Sequence, residues 1–215
     1  MKYFFSSDYH FNHKNIIRYE NRPFETVEEM NETIIKRHNE RVKPEDMVFF
    51  CGDWGFYASK TAEHRDEGMP IRITDLQKRL NGIFYSIKGN HDRSENKLNI
   101  PNYRMILNKG GIYICLTHRL EDAIIYDYNY YYPLLICGHA HSKWQTKKIE
   151  KDGKISLAIN VSVENNDYYP YSFDEIMVIF HRWLSSHPKR KEINKFIIES
   201  RTRPIYVKDT NDQTK

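Results

Sequence analysis

Five short apolar segments, each followed at once by side chains that can bind a cation, constrain this fold more than any other feature of the sequence. In the clearest case residues 83–87 are typical of a buried strand, and Gly89, Asn90, His91 and Asp92 come directly after it. Glycine allows a sharp turn there, an amide oxygen and an imidazole can bind a cation, and a carboxylate can orient the imidazole. The chain is therefore expected to leave a sheet and to present polar side chains immediately.

Four further apolar segments end in loops of the same kind. Their candidate ligands are Asp8 and His10, Asp53, His118, and His139 and His141. Ligands of α/β proteins gather beyond the carboxyl ends of strands, so we expect all five loops to meet in one cleft. Residues two apart on an extended segment point the same way, which would allow the pairs at 8 and 10 and at 139 and 141 each to serve one site.

The candidate ligands define the kind of metal site. They are nitrogen and oxygen donors without a thiolate, a set that suits Mn, Fe, Zn, Co or Ni. A single zinc ion is saturated by about four ligands, whereas these loops offer at least seven. The sequence therefore predicts two divalent cations that share a carboxylate, an arrangement that serves displacement at phosphorus.

Taken in chain order, the five loops resemble the motifs of the calcineurin-like metallophosphoesterases. The matching residues are Asp8-x-His10, Gly52-Asp53, Gly89-Asn90-His91-Asp92, Thr117-His118 and Gly138-His139-x-His141. The resemblance extends from residue 3 to about residue 160, and residues 8–17 and 21–24 are similar to small bacterial and phage members of the superfamily. It implies an α/β fold in which two mixed β-sheets and flanking helices form a four-layer α/β/β/α sandwich.

The same resemblance implies the roles of the site residues. One metal would be held by Asp8, His10, Asp53 and His141, and the other by Asp53, Asn90, His118 and His139, with Asp53 bridging the two. His91 would be the catalytic histidine, oriented by Asp92. The implied reaction is hydrolysis of a phosphate ester by in-line attack of a metal-bridging hydroxide, with His91 giving a proton to the leaving group.

Four basic residues are candidates for binding the substrate phosphate: His13, Arg18, Arg22 and Arg119. A guanidinium group can bind phosphate in a bidentate manner, and the alternative for each residue is an ordinary surface role. Aromatic residues at 54, 56 and 57 and a tyrosine-rich run at 126–132 offer surfaces on which a base could stack. These features favour a diester, such as a nucleotide or a nucleic acid. A phosphomonoesterase and a non-catalytic metal-binding adaptor are the alternatives.

Composition limits the class and location of the protein. A chain of 215 residues that is 40% hydrophobic and 29% charged fits one globular domain, and it has no apolar run long enough to span a membrane. The first residues do not form a signal peptide, and the three cysteines lie in apolar segments. We therefore expect reduced thiols, a cytoplasmic location and no membrane partner.

The C-terminal part of the sequence is basic. We expect a metallophosphoesterase domain at residues 1–181 and a basic extension at residues 182–215, packed on that domain or trailing from it. Residues 182–208 contain eight lysines and arginines and two glutamates, an excess of +6 that is larger than the +4 of the whole chain. The charge predicts either a solvated helix face or a nucleic-acid-binding surface.

Local signals predict several individual elements. Thr26 and Glu29 form the pattern of a capping box, which predicts a helix to about residue 41 with His38 packed at the edge of the core. Residues 54–73 are expected to form either a flap over the site or a long surface loop. Around Asp174, the residues at 176–180 fit either a helix or a strand.

Overall fold

The computed structural model describes residues 1–56, 72–92, 100–125 and 131–200. In these ranges the strands are β1 (Tyr3–Ser6), β2 (Met47–Phe50), β3 (Ile83–Ser86), β4 (Arg104–Lys109), β5 (Ile112–Thr117), β6 (Leu134–Cys137), β7 (Thr146–Lys151), β8 (Lys154–Asn160) and β9 (Tyr171–Ser172). The helices are α1 (Lys14–Tyr19), α2 (Val27–Arg41), α3 (Ile73–Gln77), α4 (Phe173–Ser186) and α5 (Arg190–Ser200).

The strands form two mixed sheets. In the first sheet the order is β3-β2-β1-β9, with β1, β2 and β3 parallel and β9 antiparallel at one edge. In the second the order is β4-β5-β6-β8-β7, with a parallel centre and antiparallel strands at both edges. Helices flank the two sheets, which confirms the predicted α/β sandwich.

Two layers of apolar side chains hold the sandwich together. Phe5 and Phe49 stack at 5.4 Å between ring centroids on the first sheet, and they share the main core with the second sheet and with α4 and α5. On the other face of the first sheet, a second cluster joins Phe50 to side chains of α2 and α3, including Met30 and Leu76. Burial on both faces explains why β1 and β2 are almost continuously apolar.

The N-termini of α2 and α4 are both capped by a side chain, but only α4 has a complete capping box. Thr26 caps α2 by accepting a hydrogen bond from the backbone N–H of Glu29 at 3.1 Å, but the Glu29 carboxylate accepts from Glu25 rather than from Thr26. Ser172 and Glu175 form a complete capping box at α4. The undecided residues at 176–180 are therefore helical, and the cap is Ser172, not Asp174.

His38 is packed in the core, as its position on the apolar face of α2 predicts. The Tyr9 hydroxyl donates a hydrogen bond to its Nδ1 at 2.7 Å, and its Nε2–H donates to the Asn81 carbonyl at 2.8 Å. Burial lowers the pKa of this histidine to about 4. It is thus a neutral structural residue that joins α2 to two loops.

The C-terminal helices belong to the main core. Helix α4 runs without a break past residue 181, and Ile193 and Ile197 of α5 are buried among core residues. Lys189 also donates a hydrogen bond to the Gly153 carbonyl at 2.7 Å. The last basic residues of the predicted extension, Arg201, Arg203, Lys208 and Lys215, lie outside the described residues, and so do residues 57–71 and 126–130.

The structure also describes the three cysteines and the apolar character of the helices. Cys51, Cys115 and Cys137 are buried and are not joined in disulfide bonds. Of the helices in the described ranges, none has the length and apolar character that a membrane crossing requires.

Candidate metal centre

The predicted ligand loops meet at one end of the two sheets. Ser6, Phe50 and Ser86 are in register at the ends of the three parallel strands, so the loops that follow them start at the same level. The loops are then joined by backbone hydrogen bonds, from Asp8 N–H to the Gly52 carbonyl at 2.9 Å and from Gly138 N–H to the His118 carbonyl at 3.0 Å. The convergence expected from the sequence is confirmed.

The ligands form two groups, in each of which one ligand atom per residue lies within 4.8 Å of the others. The first group contains Asp8, His10 and His141, and the second contains Asp53, His118 and His139. Asp53 lies between the two groups, because its Oδ2 is 3.3 Å from His118 Nε2 and 3.6 Å from His10 Nε2. Two ligands about 2.1 Å from a tetrahedral cation lie roughly 3.4 Å apart, so these spacings suit a shared carboxylate.

In the first group, buried ligand atoms lack hydrogen-bond partners. Asp8 Oδ1 and both ring nitrogens of His10 are enclosed, and the described residues supply no hydrogen bond to them. The other oxygen of Asp8 accepts hydrogen bonds from Ser7 Oγ, from Ser162 Oγ at 2.9 Å and from His139 N–H at 2.9 Å. An unpaired buried carboxylate oxygen is costly, and a cation would remove that cost. These residues therefore fit a metal ion.

In the second group, electron-rich atoms face one another. The Nδ1–H of His118 donates to the Cys51 carbonyl at 2.8 Å, which leaves Nε2 directed at Asn90 Oδ1, 2.9 Å away, and at Asp53. Burial by itself would lower the pKa of His118, but the hydrogen bond with Asp53 and the charges of Asp8 and Asp53 raise it to about 9. A proton on His118 therefore offsets the negative charge of Asp53, and a divalent cation between the two side chains could offset the same charge.

The backbone at the ligands is strained. Asp8, His10, Asp53, His139 and His141 all have positive φ angles, from 46° to 66°. Side-chain-bearing residues rarely adopt this left-handed conformation, and such strain gathers at functional sites. The pairs at 8 and 10 and at 139 and 141 are therefore not on extended chain, and the alternation argument was wrong. The left-handed turns bring Asp8 and His10 into one group and send His139 and His141 to different groups.

Glycines allow the loops to approach one another closely. A Cβ atom on Gly89 would overlap Asp53 Oδ1 and the Asp53 backbone nitrogen, and one on Gly138 would overlap Ser7 Oγ. Gly52, with φ of +95°, would bring a Cβ atom within 2.8 Å of His118 Nδ1. These three glycines are thus required by packing against another ligand loop.

His91 lies at the edge of the ligand groups. Its backbone N–H donates to Asp53 Oδ1 at 2.8 Å, and its ring centroid is 5.3 Å from that of His10. The carboxylate of Asp92 accepts backbone hydrogen bonds from Asp53, Gly89 and Trp54 at 2.8–2.9 Å. These bonds tie two ligand loops together, so Asp92 positions the loops; its predicted role in orienting the His91 ring stays a prediction.

Two of the four candidate substrate-binding residues, His13 and Arg119, lie beside the ligand groups, and Arg18 lies on the surface. His13 is buried with its ring centroid 5.4 Å from that of His10, and burial lowers its pKa to about 4. Arg18 is exposed beside the ring of Tyr19, at 5.5 Å. Arg119 is exposed next to His118, and its charge contributes, after burial and the charge of His118, to a lowered pKa of His139.

Arg22 does not fit the expected role as a phosphate clamp. Its side chain is enclosed, and its five N–H groups donate to the carbonyls of Asp8 and Tyr9, to the Met30 sulfur and twice to Glu164. The guanidinium therefore has no N–H left for a substrate. It is a buried structural cation behind the site.

Sequence reasoning missed Glu164. Its Oε1 accepts a hydrogen bond from His141 Nδ1 at 2.9 Å and lies 2.6 Å from a nitrogen of Arg22. Burial would raise its pKa, but the charge of Arg22 and the hydrogen bond from His141 lower it to about 2. Glu164 follows β8, so the rule that identified the other loops would also have identified this one.

The described residues form a two-sheet α/β sandwich with two histidine–carboxylate groups beyond its strand ends that could hold metal ions. The chain belongs to the calcineurin-like phosphoesterase family, whose model matches residues 1–213. It is 34% identical over 181 residues to an uncharacterised protein of Methanocaldococcus jannaschii, covering 84% of this chain and 92% of the relative. It is also similar to the crystal structure of a protein of unknown function from Aquifex aeolicus, with 26% identity and a TM-score of 0.59, covering 83% of this chain and 98% of that one.

Proposed function

We propose that this protein is a two-metal phosphoesterase that hydrolyses a phosphodiester of a nucleotide or nucleic acid. The observation that carries the proposal is the position of Asp53 between two ligand groups, with His10 Nε2 3.6 Å and His118 Nε2 3.3 Å from the same carboxylate oxygen. One group alone would serve a structural ion, whereas two groups joined by a carboxylate suit catalysis at phosphorus.

The proposed metal ligands are the residues of the two groups together with Asn90, whose Oδ1 is 2.9 Å from His118 Nε2. The nitrogen and oxygen donors suit Mn, Fe, Zn, Ni or Co. Bound there, divalent cations supply Lewis acidity toward phosphate oxygens and make a nucleophilic hydroxide accessible near neutral pH.

His91 is the proposed proton donor to the leaving group. Its backbone is held by Asp53, which fixes the ring relative to the ligand groups, and its half-buried side chain can meet a substrate from the solvent side. A donor in this position protonates the departing alkoxide, which is a poor leaving group without a proton.

Aromatic side chains beside His91 favour the diester. The ring of Phe56 is 5.4 Å from that of His91 and 4.3 Å from that of His13, and Tyr19, which is 60% exposed, is 6.2 Å from His13. An exposed ring next to a phosphate site can stack on a base. The guanidinium of Arg18 is 5.5 Å from the Tyr19 ring, which supports a role in binding a phosphate next to a base stacked on that ring.

Three other aromatic residues that were expected to stack on a base are buried and do not qualify. Trp54 is enclosed and packs on Phe50 at 3.9 Å, and Tyr131 and Tyr132 are buried in the core. Tyr57 and residues 126–130 lie outside the described residues. The proposal therefore depends on Tyr19 and Phe56.

A substrate panel tests the proposal. Turnover of bis-p-nitrophenyl phosphate, p-nitrophenyl phosphate, cyclic nucleotides and short oligonucleotides should be measured with Mn, Ni, Zn and Mg. We expect metal-dependent hydrolysis with a higher kcat/KM for diesters, and a loss of activity in Asp53→Asn. A consistent preference for monoesters would overturn the diester assignment, and metal binding without turnover of any ester would favour the adaptor.

A further inference from the structure

The two ligand groups differ in what supports their histidines from behind. In the second group, His118 Nδ1 donates to a neutral backbone carbonyl, that of Cys51, at 2.8 Å. In the first group, His141 Nδ1 donates to a carboxylate oxygen of Glu164 at 2.9 Å. A hydrogen bond to an anion makes an imidazole a more basic ligand than a hydrogen bond to a neutral carbonyl does.

The position of Glu164 is set by Arg22. The guanidinium contacts Glu164 Oε1 through two nitrogens, at 2.6 Å and 3.0 Å, and the side chains of Arg22 and Glu164 are 0% and 4% exposed. The same guanidinium donates to the carbonyls of Asp8 and Tyr9, at 2.8 Å and 2.9 Å. Arg22 thus connects the loop that carries Asp8 and His10 to the carboxylate that supports His141.

We infer that Glu164, held by Arg22, is a positioning residue for His141 that strengthens metal binding at the first ligand group alone. The inference rests on the proposed function, because it presupposes that both groups bind metal. It predicts that the first group binds a cation more tightly with the Glu164 carboxylate behind His141 than without it, and that the second group is unaffected. Supporting residues of this kind typically change metal affinity by about 10–100-fold.

Three substitutions separate orientation from charge. Glu164→Gln keeps an oxygen that can accept from His141 Nδ1 and removes the negative charge, whereas Glu164→Ala removes both. Glu164→Asp keeps a negative charge beside Arg22, but its carboxylate is one methylene farther from His141. This variant replaces Glu164→Gln in the test if loss of the charge impairs folding. Metal-free thermal unfolding of each variant shows whether the fold is retained.

Titration of the metal-free protein with Mn²⁺, followed by calorimetry, is the experiment. Glu164→Gln should weaken one of two binding equivalents by about 10-fold, Glu164→Ala should weaken it by up to about 100-fold, and the other equivalent should be unchanged. The effect of Glu164→Gln should disappear in a His141→Ala background and persist in a His139→Ala background. That coupling distinguishes support of His141 from general loss of charge.

Glu20→Gln is the matched control. Ligand atoms of Glu20 and His141 lie within 4.8 Å of each other, but the described hydrogen bonds of Glu20 are with Ser142, at 2.9 Å to the hydroxyl. The same change of charge there removes no hydrogen bond to His141, so it should weaken binding at the first group far less than Glu164→Gln does. If wild-type protein binds no Mn²⁺, the proposed function fails. Suppose that wild type binds two equivalents. The inference about Glu164 is then overturned if Glu164→Gln weakens neither equivalent or weakens both equally. It is also overturned if Glu20→Gln weakens one equivalent as much as Glu164→Gln does.

Discussion

His38, which is not one of the proposed metal ligands, should make the stability of this protein depend on pH. Its Nε2–H donates to the Asn81 carbonyl and its Nδ1 accepts from the Tyr9 hydroxyl, so both nitrogens are satisfied only in the neutral ring. Protonation would place a charge in the core and break the bond from Tyr9. Burial, opposed by the hydrogen bond to Asn81, lowers the pKa from 6.5 to about 4.

The sign and size of the effect follow from proton linkage. Below about pH 6.5 the unfolded chain binds a proton at this position, and the folded chain does not until about pH 4. The stabilisation is therefore complete above pH 6.5 and is lost as the pH falls toward 4. A difference of about 2.5 pKa units, at about 1.36 kcal/mol each, sets an upper limit of roughly 3 kcal/mol.

Urea unfolding of metal-free protein between about pH 7 and pH 4 measures this contribution, with His38→Gln as the comparison. Other buried histidines affect wild type and variant alike, so the informative quantity is the difference between their free energies of unfolding. The variant should be less stable at neutral pH, and the difference should shrink by roughly 3 kcal/mol toward pH 4. A difference that stays constant across this range would refute the assignment of His38 as a neutral buried residue.

Further predictions concern the site. His91→Ala should keep its metal and lose most turnover of esters with poor leaving groups, whereas His139→Ala should also lose metal by elemental analysis; wild-type turnover in His91→Ala would contradict the proton-donor role. Gly89→Ala should lower metal content and destabilise the fold by roughly 1–3 kcal/mol, because its Cβ overlaps Asp53. Activity should fall in acid together with metal content and recover partly with excess metal, since ligating histidines must be neutral; full metal occupancy at a pH without activity would exclude ligand protonation as the cause.

The sequence was sufficient to predict the α/β sandwich and the set of ligand loops. Each ligand motif is local, because apolar residues make a strand and the donor residues follow it within a few positions. Parallel strands then place those loops at one edge, so Asp8, Asp53 and Asn90 could be assigned to one site without coordinates. The assignments of Arg22 and Trp54 failed, because burial depends on the rest of the chain.

Only the tertiary structure decided the contacts between distant parts of the chain. Arg22 and Glu164 are 142 positions apart, and no local pattern shows that a guanidinium expected at the surface is enclosed and neutralised there. The resemblance already implied that His139 and His141 belong to different ligand groups, but the left-handed backbone at both residues was not predicted from the sequence. The sequence determined which side chains supply the chemistry, since that depends on residue type; packing decided which nitrogen faces which carboxylate, since that depends on how the strained loops fit together.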